Sequence, residues 1–554
     1  MKKLITLFNK VFVIIPIGMA AFLAMIYLFG GWGALLDGFG LEHFGLPKLT
    51  HGGFCILSLI FIFSVIYVLL KLTDKLWNNI HNKYVRAAVI SAVIFIVTFG
   101  IRFALIYLFR NDLTPFSDFQ RAWDMAQGKL EGNIDYYTLF PSYLNYSVYQ
   151  KAVIKLFGND YIKILYLNAM WSGLTAVYLF ALTYLVTHKQ KIAVLAGFLY
   201  TFLPSNIAYT ATGTPEFLTV AFNTIGVFGL VYFLCAEGSK KYLSAILSGI
   251  MFGIGTSYKS FAVIILIAFV MTYIAKQVVT KYQRPQKALR TWMITAVCVL
   301  LVFSGYKITG NAILNHTENV YGKELSESTS IPHFFLIGLN TQGEGQIHLG
   351  NLSREYYKEY LNNGNDFEAA KEHAFSLLDK DWSENKTAIP ALFLKKIIWA
   401  WQDDSRPILY FNENVGIKAD SRLKSIVCNY SENITPGVSQ IYYFLLLISA
   451  LIGCIAYNRK NRINYRLEFF FLIIFGYFCL LLLSEAQSRY KCLIIPYLCI
   501  IAAIGFDTLF HKLSEKKPCR TADKCNVTGQ AEISNQKQTP DFKAPLSRQN
   551  GKEI

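Results

Sequence analysis

"AAVISAVIFIVTFGIRFALIYLFRNDLTPFSDFQRAW", Ala87 to Trp123, decides the fold. Its apolar part, residues 87–109, carries a single charge, Arg102, and is long enough as a helix to cross a hydrocarbon core of about 30 Å. The run then stops at Arg110, and Asp112 and Asp118 follow on either side of Pro115. An apolar run that ends abruptly on carboxylates marks a membrane surface.

Comparable runs recur along the chain, and twelve are expected to be spans: about 11–30, 54–71, 87–109, 161–185, 191–209, 216–236, 242–257, 260–276, 289–309, 438–457, 467–484 and 491–510. The 554 residues are 54% hydrophobic and only 16% charged, whereas soluble domains are about 25% charged. The fold class is therefore an all-α polytopic membrane protein. Lys2, Lys3 and Lys10 precede the first run, which exceeds a signal-peptide core in length and is expected to stay as an anchor.

The net charge of +17 does not point to nucleic acid, because the basic residues gather in alternate loops. Lys71, Lys75, Lys83 and Arg86 form one group; His188, Lys189 and Lys191 another; Lys240 and Lys241, then Lys276 to Arg290, then Arg459 to Arg466 complete the set. The positive-inside rule places these loops and both termini in the cytoplasm. Segment 310–437 has 17 acidic against 12 basic residues, and is expected outside together with Asp118. The 44 residues after Phe510 are polar and expected to be a disordered cytoplasmic tail.

The first outer segment carries a helical pattern. Phe116, Phe119, Trp123, Ala126 and Leu130 share one face, which predicts an amphipathic helix on the outer leaflet, capped by Ser117 and with Asp118 in its first turn. A second stretch, Pro141 to Gly158, places Leu144, Val148, Ala152 and Leu156 on an apolar stripe. Asp118 thus sits where water is scarce, and a carboxylate there can take a proton from an attacking hydroxyl or simply start a helix.

Other candidates lie at the same depth. In "SEAQSRYK", Ser484 to Lys491, Glu485 and Arg489 are four apart, the spacing of a helical ion pair. Arg489 beside Tyr490 equally suits a lipid phosphate. Lys259 lies between two short apolar runs and needs a partner, for which Glu216 or a lipid phosphate will serve. Arg102, inside its span, also needs one, and a structural role is favoured. Asp403 and Asp404 resemble part of an acidic metal motif and fit a surface turn equally well. The ten cysteines and the histidines show no ligand spacing, and no phosphate-binding glycine pattern appears, so no nucleotide-fuelled step is expected.

These stretches together resemble a known group. A span ending in Arg110, then "PFSDF" (115–119), "YTLFPSY" (137–143), "LFG" (156–158) and Leu167-Asn168, is similar to the start of GT-C glycosyltransferases. Those are membrane enzymes related to protein O-mannosyltransferases and the lipid A aminoarabinose transferase. "SEAQSRYKCLIIPYLCIIAAIGF" (484–506) resembles the last-span pattern of Gram-positive relatives. The likeness covers roughly residues 87–510. The expected division is two extra N-terminal spans (1–86), a GT-C-like core (87–309) with a catalytic loop at 110–160, an external subdomain (310–437), C-terminal spans (438–510) and the tail (511–554).

The resemblance also implies a chemistry: inverting transfer of one sugar from a polyprenyl-phosphate donor, on the outer face of the cell membrane. Asp118 matches the family's catalytic carboxylate. Lys259 and Arg489 would hold the donor phosphate, and Glu485, Tyr490, Glu216 and Arg102 would line the cavity. No cofactor is required, and a divalent metal is compatible with the scheme. The acceptor is a cell-envelope polymer, a glycolipid or a protein. Two departures stand out: Asp118 follows the third span rather than the first, and the acidic pair of the mannosyltransferase branch is missing, Asp112 being six residues away. A polysaccharide polymerase and a transporter or flippase remain as rival readings.

Overall fold

The computed structural model describes residues 48–129, 134–235, 239–283, 288–326, 329–345, 352–414, 420–458 and 464–515, with Gly18 and Phe22. The expected first span and most of the expected tail lie outside the described residues. Among those described there is no β-strand, so the all-α class is as expected.

The chain begins with α1 (Lys48–Asn79) and α2 (Lys83–Leu108), followed by short helices α3 (Ser117–Ala126), α4 (Ile134–Thr138) and α5 (Pro141–Phe157). Next come α6 (Ile162–Thr187), α7 (Gln190–Thr201), α8 (Pro204–Tyr209), α9 (Glu216–Cys235), α10 (Lys240–Tyr258), α11 (Ala262–Gln283) and α12 (Ala288–Tyr321). The long segment folds as α13 (Ile331–Leu339), α14 (Leu352–Asn362), α15 (Phe367–Glu384), α16 (Ile389–Trp401), α17 (Arg406–Asn414) and α18 (Arg422–Asn433). Finally α19 (Thr435–Asn458), α20 (Tyr465–Leu483), a 3-10 turn at Ser488–Leu493 and α21 (Ile495–Glu515) close the bundle.

Among the described residues seven helices are long and apolar enough to cross a membrane: those at Gly52–Asn79, Lys83–Leu108, Ile162–Thr187, Glu216–Cys235, Trp292–Tyr321, Thr435–Tyr457 and Tyr465–Leu483. The bent pair α7–α8, turned by 57°, makes an eighth. The remaining expected spans fall on α10 and on two shorter apolar helices, Ala262–Gln277 and Ile495–Phe510.

The bend has a visible cause. In an unbroken helix the carbonyl of Thr201 would take the amide of Ser205, but Pro204 stops the ladder and that amide donates to Ser439 Oγ at 3.2 Å. Arg102 Nη1 fills the gap, donating to Thr201 O at 3.1 Å and to Thr98 O at 3.2 Å. A buried guanidinium on α2 thus satisfies backbone freed by the break.

Close helix contacts rest on small residues. Gly253 of α10 lies against α12, where an added Cβ would stand 2.8 Å from Tyr306 O, and Gly249 one turn earlier meets the backbone of the same helix. One end of the bundle carries the segment between α12 and α19, together with α3, α4, α5 and the 3-10 turn; we call it the loop side. The opposite ends are tied by Lys189–Asp507 (3.0 Å), Lys191–Asp74 (3.5 Å) and Arg466 donating to Leu185 O. Helix α12 runs unbroken through residue 310, so the long segment leaves the bundle only after Tyr321, and residues to Phe510 form one compact unit.

Candidate active site

On the loop side, α3 and α5 pack together, and Phe116 at the start of α3 lies 5.9 Å from the Tyr410 ring of α17. The apolar face of α3 is as expected, but it is buried against protein: Phe119, Trp123 and Ala126 are enclosed, and Trp123 meets the Tyr161 ring edge-on at 5.4 Å. On α5 the stripe splits: Leu144 is buried and Val148 half-buried. Leu156 and Ala152 are exposed, while Asn145, Ser147 and Gln150 face inward. Asn145 uses this inward position to donate to Ser257 O of α10 and accept from Thr317 of α12.

The expected cap is replaced. Ser117 is the first residue of α3, with φ of 51°, and Phe116 stands at the cap position without a side-chain bond. Asp118 remains in the first turn. It is half-buried and accepts a hydrogen bond from Tyr143 Oη of α5 at 3.3 Å.

Tyr143 is where the site comes together. Burial and Asp118 push its hydroxyl well above the usual range, Arg489 pulls it back, and Glu216 and Glu485 act from the same pocket of charge. Charges from four segments distant in sequence thus act on one phenol: α3, the start of α9, the Ser484–Gln487 turn and the 3-10 turn.

Lys259, just past α10, bonds Glu216 Oε1 at 3.3 Å and lies 4.4 Å from the centre of the Tyr490 ring. Glu216 is buried and its second oxygen makes no hydrogen bond. Arg489 stands over two rings, Tyr410 of α17 at 5.2 Å and Tyr490 at 5.3 Å. Burial disfavours its charge, but Tyr490, Tyr209, Tyr410 and Glu216 outweigh that and hold its pKa well above the usual value. Among the described residues Arg489 has no ion-pair partner within 4 Å, and its Nε makes no hydrogen bond.

Glu485 does not pair with Arg489 as a helical i,i+4 spacing suggests. The chain there is a turn rather than a helix, and Glu485 accepts from Tyr490 Oη at 2.7 Å and from Gln487. Arg102 is held at the α7–α8 break and shares none of these contacts. Asp112 has its own partner, Lys424 of α18 at 2.7 Å, both side chains buried. Asp404, read from the sequence as a surface turn or metal ligand, is buried beside Lys491 at 3.6 Å and accepts from Ser439. No group of three His, Cys, Asp or Glu side chains among the described residues is placed to hold a metal ion.

Sequence reasoning missed Tyr143, Tyr410 and Tyr209. Tyr143 belongs to the quoted "YTLFPSY" stretch, but its role depends on partners in α3 and the 3-10 turn that local spacing does not reveal.

The fold and this cluster define a class: a polytopic helical membrane protein with ionisable side chains gathered where spans meet extramembrane helices. Residues 145–307 match the family described as dolichyl-phosphate-mannose-protein mannosyltransferase. That match bears out the GT-C resemblance over this stretch and indicates a membrane glycosyltransferase. It contains Glu216 and Lys259, whereas Asp118, Glu485, Arg489 and Tyr490 lie outside it. No curated protein matches the chain significantly.

Proposed function

We propose that the protein moves one sugar, with inversion, from a polyprenyl-phosphate donor to a cell-envelope acceptor on the outer face of the cell membrane, using Asp118 as general base. The observation that carries this reading is the position of Tyr143, which touches Asp118 and lies within electrostatic reach of Arg489. Transfer from a lipid phosphate needs both: a base for the acceptor and fixed cations for the leaving group.

In the reaction the acceptor oxygen bonds to the anomeric carbon while its proton passes to Asp118. The bond from that carbon to the phosphate oxygen breaks, and its electron pair leaves with polyprenyl monophosphate. Arg489 is the first choice for the phosphate, because no carboxylate among the described residues lies within ion-pair distance of it. Lys259 contributes a charge partly offset by Glu216. The scheme needs no nucleotide and no metal, so chelation is expected to leave the rate unchanged. The acceptor is a polymer, a glycolipid or a protein.

The test uses full-length protein in nanodiscs with labelled polyprenyl-phosphate monosaccharides. Asp118→Asn is expected to slow transfer about 10²–10⁴-fold while donor binding survives. Arg489→Ala should weaken donor binding by about 1.5–3 kcal/mol, more than Lys259→Ala. Asp124→Asn on the same helix is the control; Asp112→Asn is unsuitable, since it breaks the buried pair with Lys424. Near-normal turnover by Asp118→Asn would reduce that carboxylate to a helix-start anion. Consumption of pre-built oligosaccharide blocks alone would favour a polymerase.

A further inference from the structure

The Ser484–Tyr490 turn, which carries Glu485, Arg489 and Tyr490, has little regular structure of its own, yet it must hold a cation in place. What holds it comes from the long segment. Lys396 of α16 is buried, and its ammonium donates to the carbonyl of Gly338, at 2.6 Å, and to that of Leu482, two residues before the turn. Its stem runs over Gly345, where a Cβ would stand 2.6 Å from Lys396 Cγ. Gly345 O in turn accepts from Ala486 N at 3.0 Å, inside the turn. Gly338 rests directly on the backbone of Leu483 and Ser484, with no room for a side chain. At the other end, Lys491 donates to Asp403 O and faces Asp404 and the Tyr443 ring.

A buried ammonium facing only carbonyls is an unusual choice for simple packing. Burial pushes Lys396 down to about 7, so its charge is held at a cost that a Met or Leu stem would avoid. The neighbouring Lys395 is exposed and pairs with Glu344 rather than with the turn itself.

We propose that Lys396 is a positioning residue for the candidate phosphate site: by binding Gly338 O and Leu482 O with one ammonium, it fastens the 331–401 segment to the turn that presents Arg489 and Tyr490. The proposal rests on the functional reading above for its ligand, but not for its mechanical part.

Two measurements separate them. Amide hydrogen exchange on the full chain in nanodiscs reads the seam, and binding of polyprenyl monophosphate, without any sugar, reads the site. Lys396→Met is expected to speed exchange selectively at residues 484–490, leaving the spans protected, and to weaken polyprenyl monophosphate binding about tenfold. Lys396→Arg should restore most of the affinity, and Lys380→Met, at an exposed lysine of α15, should change neither readout. Gly338→Ala wedges the same seam with Lys396 intact, and is expected to give the same pair of effects should Lys396→Met not fold. Unchanged exchange at 484–490 and unchanged affinity in the variants that fold would overturn the proposal. If exchange rises as expected but wild type binds no polyprenyl monophosphate, the seam stands and the functional reading fails.

Discussion

The residues of the site divide by how far away their partners are. Asp118 was legible because a carboxylate that interrupts an apolar run stands out in its own neighbourhood. Lys259 and Glu216 were legible as ions in apolar surroundings that must find partners, and each other was among the choices. Tyr143, Tyr410 and Lys396 were not, because a tyrosine or lysine in a loop is ordinary until its contacts arrive from far along the chain. The same distance effect produces a pH signature. His333 of α13 is buried against Phe140, and burial lowers it from 6.5 to about 4. Between those values the unfolded chain binds a proton the native state refuses, so stability rises with pH from about 4 to 6.5. Lys396, lowered from 10.5 to about 7, has the same sign, and adds a second rise between about 7 and 10.5. Unfolding followed across both windows reads each contribution as the difference between wild type and variant. His333→Phe should remove the lower one alone, and Lys396→Met the upper one alone.

At the scale of elements, periodicity identified helices well and their environment poorly. The α3 pattern gave the right buried face, but the partner is α5 and the Tyr161 region rather than lipid headgroups. On α5 the apolar stripe is buried only in part, Leu144 being enclosed and Ala152 and Leu156 exposed, and the polar side chains Asn145, Ser147 and Gln150 turn inward to meet other helices. Apolar residues mark the core only where the solvent is water; at a membrane surface either face can be the outer one. The break between α7 and α8 was read as one continuous span, since Pro204 shows where a helix bends but not that Arg102 repairs it. Helix contacts in lipid depend on close backbone approach, which makes Gly253 a sharp test. A leucine there must push α10 away from α12, and Lys259 lies just beyond the end of α10. Gly253→Leu is expected to cost about 1–3 kcal/mol, read as a lower thermal midpoint in nanodiscs, and to weaken phosphate-lipid binding as well. Normal affinity in the folded variant would show that α10 does not set the position of Lys259.

For the whole molecule, the question is which side faces out. Sequence counting put the basic loops on one side, and in the structure basic residues from separate loops do meet at one end: Lys189 and Lys191 reach Asp507 and Asp74, and Arg466 reaches the end of α6. The loop side holds Asp118, Arg489 and the acidic long segment. Charge asymmetry of this kind is what fixes orientation during insertion, so the basic end is expected in the cytoplasm and the loop side outside. The expectation matters because a polyprenyl-phosphate sugar presented outside has left its nucleotide-dependent synthesis behind the membrane, and only then does a site with no nucleotide-binding pattern make sense. Lys129 and Gln342 are exposed on the loop side, and Ser239 is exposed at the opposite end. Single cysteines at these positions, probed on intact cells with a membrane-impermeant maleimide and wild type as the blank, should label at 129 and 342 and not at 239. Labelling at 239 alone would turn the site to the cytoplasm. The cluster could then still bind a lipid phosphate, but its donor and acceptor would both have to be cytoplasmic, and the outer-face transfer proposed here would be wrong.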